Sequence, residues 1–444
     1  MNEKKIILFG LYFAIFSQIL LGFAQDTFKI ALFTTIFSYS DEIYSIILLI
    51  YTIFKKGFTE QKRVLTLIIL LWCVGLISGI NSNFNLLTNS LGAFNFLKGL
   101  IIYICLCQYK FSLSDFKYFM NLFIVIIPFV IAFYILDIII PNLRQLLNFQ
   151  RIGQTSDFRL GFRSLGGLFS IYTHASLFGL IYFIIYTYYK PKESQKKWYQ
   201  NLGLFMIIVT QKVKDIFSIA VVYCLCKIKH VRPISILLIM IAGYVLFGLY
   251  AIYLPNHYNT YFGRDADTAV RNLMTEASLQ IANNHIPLGV GWGKFGSATS
   301  AHIYSEVYGK YKLEGLWGLN YEGNHSFMQD TQWPMLFGET GYLGTIIFLL
   351  ILFLIFAKPL KHYLQDTSNM QYAFPSVLFI YYIICSLGKP VFVAIPHSYV
   401  IWGISAIWYS LATKFPQYTK SKKNRFKHDE RKTKDTLFGL EKIC

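Results

Sequence analysis

Apolar runs of roughly 18 to 24 residues recur along this chain, the length that crosses about 30 Å of hydrocarbon at about 1.5 Å of helix rise per residue. Within hydrocarbon every backbone N–H and C=O must find a partner inside the protein, so only helices or a closed barrel can span it. The runs do not alternate polar with apolar residues, which excludes a transmembrane barrel. Composition agrees: 55% of residues are apolar and 14% charged, whereas about a quarter of a soluble domain is charged, and the mean hydropathy is +0.45. The expectation is an all-α, polytopic integral membrane protein.

The formal net charge of +18 raises the question of nucleic acid, and the placement of the charge answers it. Lysine and arginine gather in short loops (Lys55, Lys56, Lys62, Arg63; Lys190, Lys192, Lys196, Lys197; Lys227, Lys229, Arg232) and in the tail after Lys414. These positions end apolar runs, where the positive-inside bias and anionic lipid account for them. No nucleic-acid partner is needed; membrane lipid is one. Of the seven cysteines, Cys105, Cys107, Cys224, Cys226 and Cys444 fall at predicted cytoplasmic ends, and Cys73 and Cys385 within apolar runs. Their spacing suits neither a metal site nor a disulfide framework, and no metal or cofactor is expected.

In chain order, Ile6–Ala24 resembles a signal peptide but reads as an uncleaved first span, because more spans follow. Spans then fall at Tyr39–Phe54, Val64–Ile80, Leu91–Gln108, Tyr118–Ile140 and Gly167–Tyr189. Lys98, inside the fourth, either snorkels to a headgroup or pairs with an acid. The link Asn142–Gly166 carries Arg144, Arg151, Arg159 and Arg163 on the predicted outer side, against the charge bias. A single helix over Leu202–Cys226 would put the later basic loops outside. Two short spans, Trp198–Thr210 and Asp215–Cys226, keep them inside and leave Lys212 and Lys214 in an outer turn. Ile234–Leu254, Leu336–Ala357, Phe374–Leu387 and His397–Thr413 complete about twelve spans, with both termini cytoplasmic. The organisation expected is spans one to nine in 1–254, one large extracytoplasmic loop with short helices in 255–335, spans ten to twelve in 336–413, and a basic cytoplasmic tail in 414–444.

The large loop holds most of the polar residues that could do chemistry. Asp267 and Thr268 can cap a helix whose apolar positions Val270, Leu273, Met274, Ala277 and Ile281 recur at helical spacing. Arg264 and Arg271 lie near its start, and Pro287 ends it. GWGKFG at Gly291–Gly296 matches a dinucleotide fingerprint by letter, but no strand precedes it, so its glycines read as a tight backbone turn. His325, Asp330 and Glu339 stand at the approach to the next span, where an ionisable group is costly unless hydrated or paired.

Arg271, then Pro287-Leu288-Gly289-Val290-Gly291, then a polar residue and an apolar approach to Gly341-Tyr342-Leu343-Gly344, resembles the shared loop of the O-antigen ligase and polymerase (Wzy-like) superfamily. There an arginine precedes P-x-G-x-G, and a His-Asn/Ser/Gln pair stands nine residues ahead of G-x-x-G. In this chain that spacing, with 332–340 intervening, lands on Asp330-Thr331; His325-Ser326 has the family's residue types five residues too early. The resemblance implies a metal-independent glycosyltransferase at the outer face of a bacterial inner or cytoplasmic membrane. It would act on oligosaccharide carried by undecaprenyl pyrophosphate, in O-antigen, capsule or exopolysaccharide synthesis, beside a chain-length regulator and a flippase. Arg159, Arg163, Lys212, Lys214, Arg264 and Arg271 would hold the pyrophosphate. Asp330, or else His325, would take the acceptor's proton. Trp292, Trp317, Tyr321, Trp333 and Glu339 would contact sugar, although interfacial belts explain such aromatics equally well. A ligase using another acceptor and a glycolipid flippase are the alternatives.

Overall fold

The computed structural model describes residues 2–22, 31–147, 158–189, 197–228 and 269–414 with small gaps, isolated positions within 229–268, and none of 415–444. Most of the expected span Ile234–Leu254, the lysine loop 190–196 and the basic tail lie outside the described residues.

After α1 (Glu3–Gly22) come α2 (Ala31–Lys55), α3 (Lys62–Ile80), α4 (Leu86–Cys107) and the consecutive α5 (Leu113–Val125) and α6 (Ile127–Ile139). Pro128, in the first turn of α6, marks the break between the last two. Then follow α7 (Tyr172–Ile184), α8 (Lys197–Ile208), α9 (Val213–Lys227), α10 (Val270–Asn284), α11 (Trp333–Gln365), α12 (Met370–Cys385) and α13 (His397–Lys414). Among the described residues, five helical stretches are long and apolar enough to cross a membrane: α2, α3, α4, Leu113–Ile139 and α11. Among the described residues, strand is confined to a ribbon in which Phe158–Arg159 pairs antiparallel with Phe162–Arg163, and the rest of the regular structure is helical.

Helix α2 shows what kind of solvent surrounds the bundle. Its buried residues are Ser40, Asp41, Ser45, Leu48 and Thr52, spaced along one face. Phe33, Ile36, Ile43, Ile47, Ile50 and Phe54 are exposed. Polar inward and apolar outward is the reverse of a water-soluble helix, and it suits a bundle wrapped in lipid. The protein is a helical membrane protein.

Charge inside the bundle is paired. Lys98 on α4 is buried and bridges Asp41 and Glu42 on α2, with Nζ 2.9 Å from Glu42 Oε1. Of the two fates open to Lys98, pairing with acids is the one observed. Elsewhere small residues bring backbones together: a Cβ on Gly179 of α7 would lie 2.7 Å from the Gly203 carbonyl of α8. Helix α8 stops at Ile208, Gln211 turns the chain with φ +52°, and α9 starts at Val213. The break expected from charge placement is thus present.

In the segment after α10, Gly289–Ser297 is buried throughout. Helix α11 is broken at Gly341, where φ is +65°. The Gly338 and Glu339 carbonyls beside the break accept the backbone N–H groups of Val290 and Gly291, each at 2.9 Å. The chain then wedges between α3 and α4. Trp292 Nε1 donates to the Trp72 carbonyl at 3.1 Å, and its ring centroid lies 4.9 Å from that of Phe96. A Cβ on Gly92 would meet the Gly293 nitrogen at 2.3 Å. The glycines of GWGKFG do form a tight turn, and what they approach is helix backbone.

Candidate functional site

Helix α10 forms where its sequence repeats at helical spacing, burying Met274, Ala277, Ser278 and Ile281. Met274, Ala277 and Ile281 join Val290, Phe295, Tyr308, Leu313 and Met328 in a second, smaller core. Its N-cap is Ala269, with no side-chain cap; Asp267, Thr268 and Arg264 lie outside the described residues. This small core fixes the first turn of α10 against the approach to α11, and Arg271 Nη2 reaches Asp330 Oδ2 at 2.8 Å. Both side chains stay about a third exposed, at 34% and 31%, so a ligand can reach the pair.

Other cations gather at the same place. Lys214, in the first turn of α9, donates from Nζ to the Gly388 carbonyl at 2.7 Å and interacts electrostatically with Asp215, Arg271 and Asp330. Lys389, between α12 and α13, donates to Thr173 Oγ1 at 2.5 Å and lies 3.2 Å from His397 Nε2. It too interacts with Lys214, Asp215 and Asp330. Burial, reinforced by the Lys214 ammonium, pushes the Lys389 ammonium from the usual lysine range down to about 7. The rings of His174 and His397 are 5.9 Å apart, and Lys212 Nζ stands 5.2 Å over the Tyr172 ring.

Most of these groups stand near helix starts. Thr173, Lys214, Arg271 and His397 each sit in the first turn of a helix, and Trp333 opens α11. Trp333 Nε1 donates to Ser386 Oγ at 3.1 Å, and Phe392 N to Gln332 Oε1 at 3.3 Å, binding the start of α11 to the segment that holds Lys389. Helix N-termini carry partial positive charge and unpaired N–H groups, so together with the ammonium and guanidinium groups they favour a polyanion.

The expected site residues divide clearly. Lys214, Arg271 and Asp330 come together. Arg163 instead forms an ion pair with buried Asp137 at 3.2 Å; the Asp137 carboxylate also accepts Gly166 N and Gly167 N at 3.0 and 2.9 Å. That pairing ties the ribbon to α6. Arg159 pairs through its backbone with Phe162, and its side chain lies outside the described residues.

His325 is held apart from the cations in the hydrogen bonds it makes: Nδ1 and Nε2 face the Ala301 and Tyr321 carbonyls at 2.9 and 3.3 Å, and its ring packs on Tyr304. Trp317 and Tyr321 are exposed, packed edge-on against Phe327 and Tyr304, and Trp333 is half-buried. Two expected sugar contacts need correction. Trp292 is fully buried and serves the core. Glu339 is fully buried too, its carboxylate turned to the backbone N–H groups of Gly293, Lys294 and Phe295, where it steadies the wedged turn.

Lys389, His397, His174 and Thr173 did not emerge from the sequence. Lys389 carried a usable signal: it lies between the last two spans on the predicted outer side, the same breach of charge bias that singled out the arginines of 142–166.

No model of a known protein family matches this chain, and no curated protein matches it significantly. Support for any family therefore rests on the residues and their arrangement.

Proposed function

We propose that the protein is a polysaccharide polymerase that transfers a glycan from undecaprenyl pyrophosphate to a lipid-linked repeat unit. Its site would face outward, in a bacterial inner or cytoplasmic membrane, from a bundle of about twelve spans. One observation carries the reading: Arg271 pairs with Asp330 at 2.8 Å, and the ammonium groups of Lys214 and Lys389 interact electrostatically with the same carboxylate. Together they make a polyanion site with a carboxylate inside it.

The chemistry follows from charge. As the acceptor hydroxyl oxygen bonds to the anomeric carbon, the bond from that carbon to the pyrophosphate oxygen breaks and its electrons leave with the lipid pyrophosphate. Fixed cations stabilise that growing charge. The hydroxyl proton passes to the Asp330 carboxylate, which the Arg271 guanidinium holds in place at 2.8 Å until substrate arrives. The exposed Trp317 and Tyr321 faces suit sugar rings.

The test is genetic and chemical. In the native host, Arg271→Ala should abolish long polymer while lipid-linked single repeats accumulate. Unchanged polymer length would remove the cluster from the reaction.

A further inference from the structure

A second space, mostly apolar but with one charged wall, lies one residue along the chain from two members of the cation cluster. A cavity of about 270 Å³ lies between α2, α4, the Gly296–Ala298 turn and the 390–395 segment. Asp41, Glu42 and Lys98 form one wall, with Asn95 and Gln329 beside them. Lys98 joins the two carboxylates, yet Glu42 Oε2 is buried with no hydrogen-bond partner among the described residues. An unsatisfied buried carboxylate oxygen is costly, and a donor supplied by a ligand relieves it.

The lining defines the ligand's chemistry. Two carboxylates against one ammonium disfavour a phosphate. An apolar guest would leave the wall unpaired. A neutral, hydroxyl-rich ring satisfies it: hydroxyls donate to carboxylates and accept from an ammonium or amide, while Phe96 in the lining gives the ring an aromatic surface. The volume is just under the roughly 300–1,000 Å³ of drug-sized sites, room for about one sugar.

Position connects the cavity to the chemistry. Gln329 lines it, and the next residue, Asp330, pairs with Arg271. Pro390 lines it, and the preceding Lys389 belongs to the cation cluster. The segments 329–330 and 389–390 therefore each give one residue to the cavity lining and the next to the cluster. Resting on the polymerase reading, we propose that this cavity seats the acceptor's reacting sugar and presents its hydroxyl to Asp330, apart from the cations that hold the donor's pyrophosphate.

Two probes separate the claims, each titrated by calorimetry into the full chain in nanodiscs. One is inorganic pyrophosphate. The other is the host's repeat-unit oligosaccharide, freed from its lipid pyrophosphate by mild acid. Ala394→Trp fills the cavity and Asn95→Leu removes one polar partner; pyrophosphate binding at the wild-type level shows that each variant is folded. Oligosaccharide affinity is expected to fall about tenfold or more in both, the worth of one or two hydrogen bonds. Undiminished oligosaccharide binding in the folded cavity variants overturns the subsite, as does a wild-type protein that binds pyrophosphate and no oligosaccharide. A wild-type protein that binds oligosaccharide through the cavity and no pyrophosphate supports the subsite and overturns the polyanion site instead.

Discussion

Arg271 Nη2 lies 2.8 Å from Asp330 Oδ2, joining the first turn of α10 to the residue three before α11. Because α10 is packed by its own small core, the guanidinium is fixed without being sealed from solvent. Replacing Asp330 by asparagine keeps the shape and removes the proton acceptor. The expected result is a loss of polymer-forming rate of about 10²–10⁴-fold, the usual worth of a general base, with pyrophosphate affinity unchanged or higher. Radiolabelled chain extension in membranes, set beside pyrophosphate titration, measures both.

Burial and the Lys214 ammonium push the Lys389 ammonium down to about 7, and a bound polyanion should draw its proton back. Only the protonated form attracts pyrophosphate, so binding takes up a proton above pH 7 and affinity falls as pH rises, by up to about tenfold per unit. Lys389→Met should weaken binding at pH 6 and flatten this dependence. Titrations at pH 6, 7 and 8 decide it; a slope that survives in the variant assigns the proton elsewhere.

Lys98 and Asp41 form a pair with side-chain exposures of 9% and 3%. Lys98→Met should cost about 3–5 kcal/mol by stranding two carboxylates. Adding Asp41→Asn should recover part of that loss. Thermal unfolding in detergent of the single and double variants provides the comparison, and additive losses would contradict the pairing.

The wedge of Gly289–Ser297 between α3 and α4 depends on missing side chains. A Cβ at Gly75 would lie 2.1 Å from Trp292 Nε1. At Gly293 it would lie 2.6 Å from the Thr88 carbonyl, on a residue whose φ is +77°. Alanine at either position should destabilise the fold by about 1–3 kcal/mol or more, whereas Trp317→Ala on the exposed surface should stay within about 0.5 kcal/mol. Melting temperatures of the purified variants test the contrast.

The apolar runs by themselves determined that this is a helical membrane protein, because hydrocarbon leaves unpaired backbone no alternative. Charge placement located the break before α9, and helical spacing located α10. Spacing to Gly341 pointed to Asp330, and the fold pairs that residue with Arg271. What only the tertiary structure decided is which charges meet. Arg163 and Arg271 look alike in the sequence, yet one meets a buried aspartate on α6 and the other a half-exposed one before α11. Lys389 sits 175 residues from Lys214 in the chain, and Trp292 and Glu339 turn inward because Gly341 breaks a helix and opens its carbonyls to a passing segment. Local sequence sets how each stretch coils and which side of it prefers lipid. Partners far apart in the chain are set by how the helices pack, and electrostatics at a site depends on those partners.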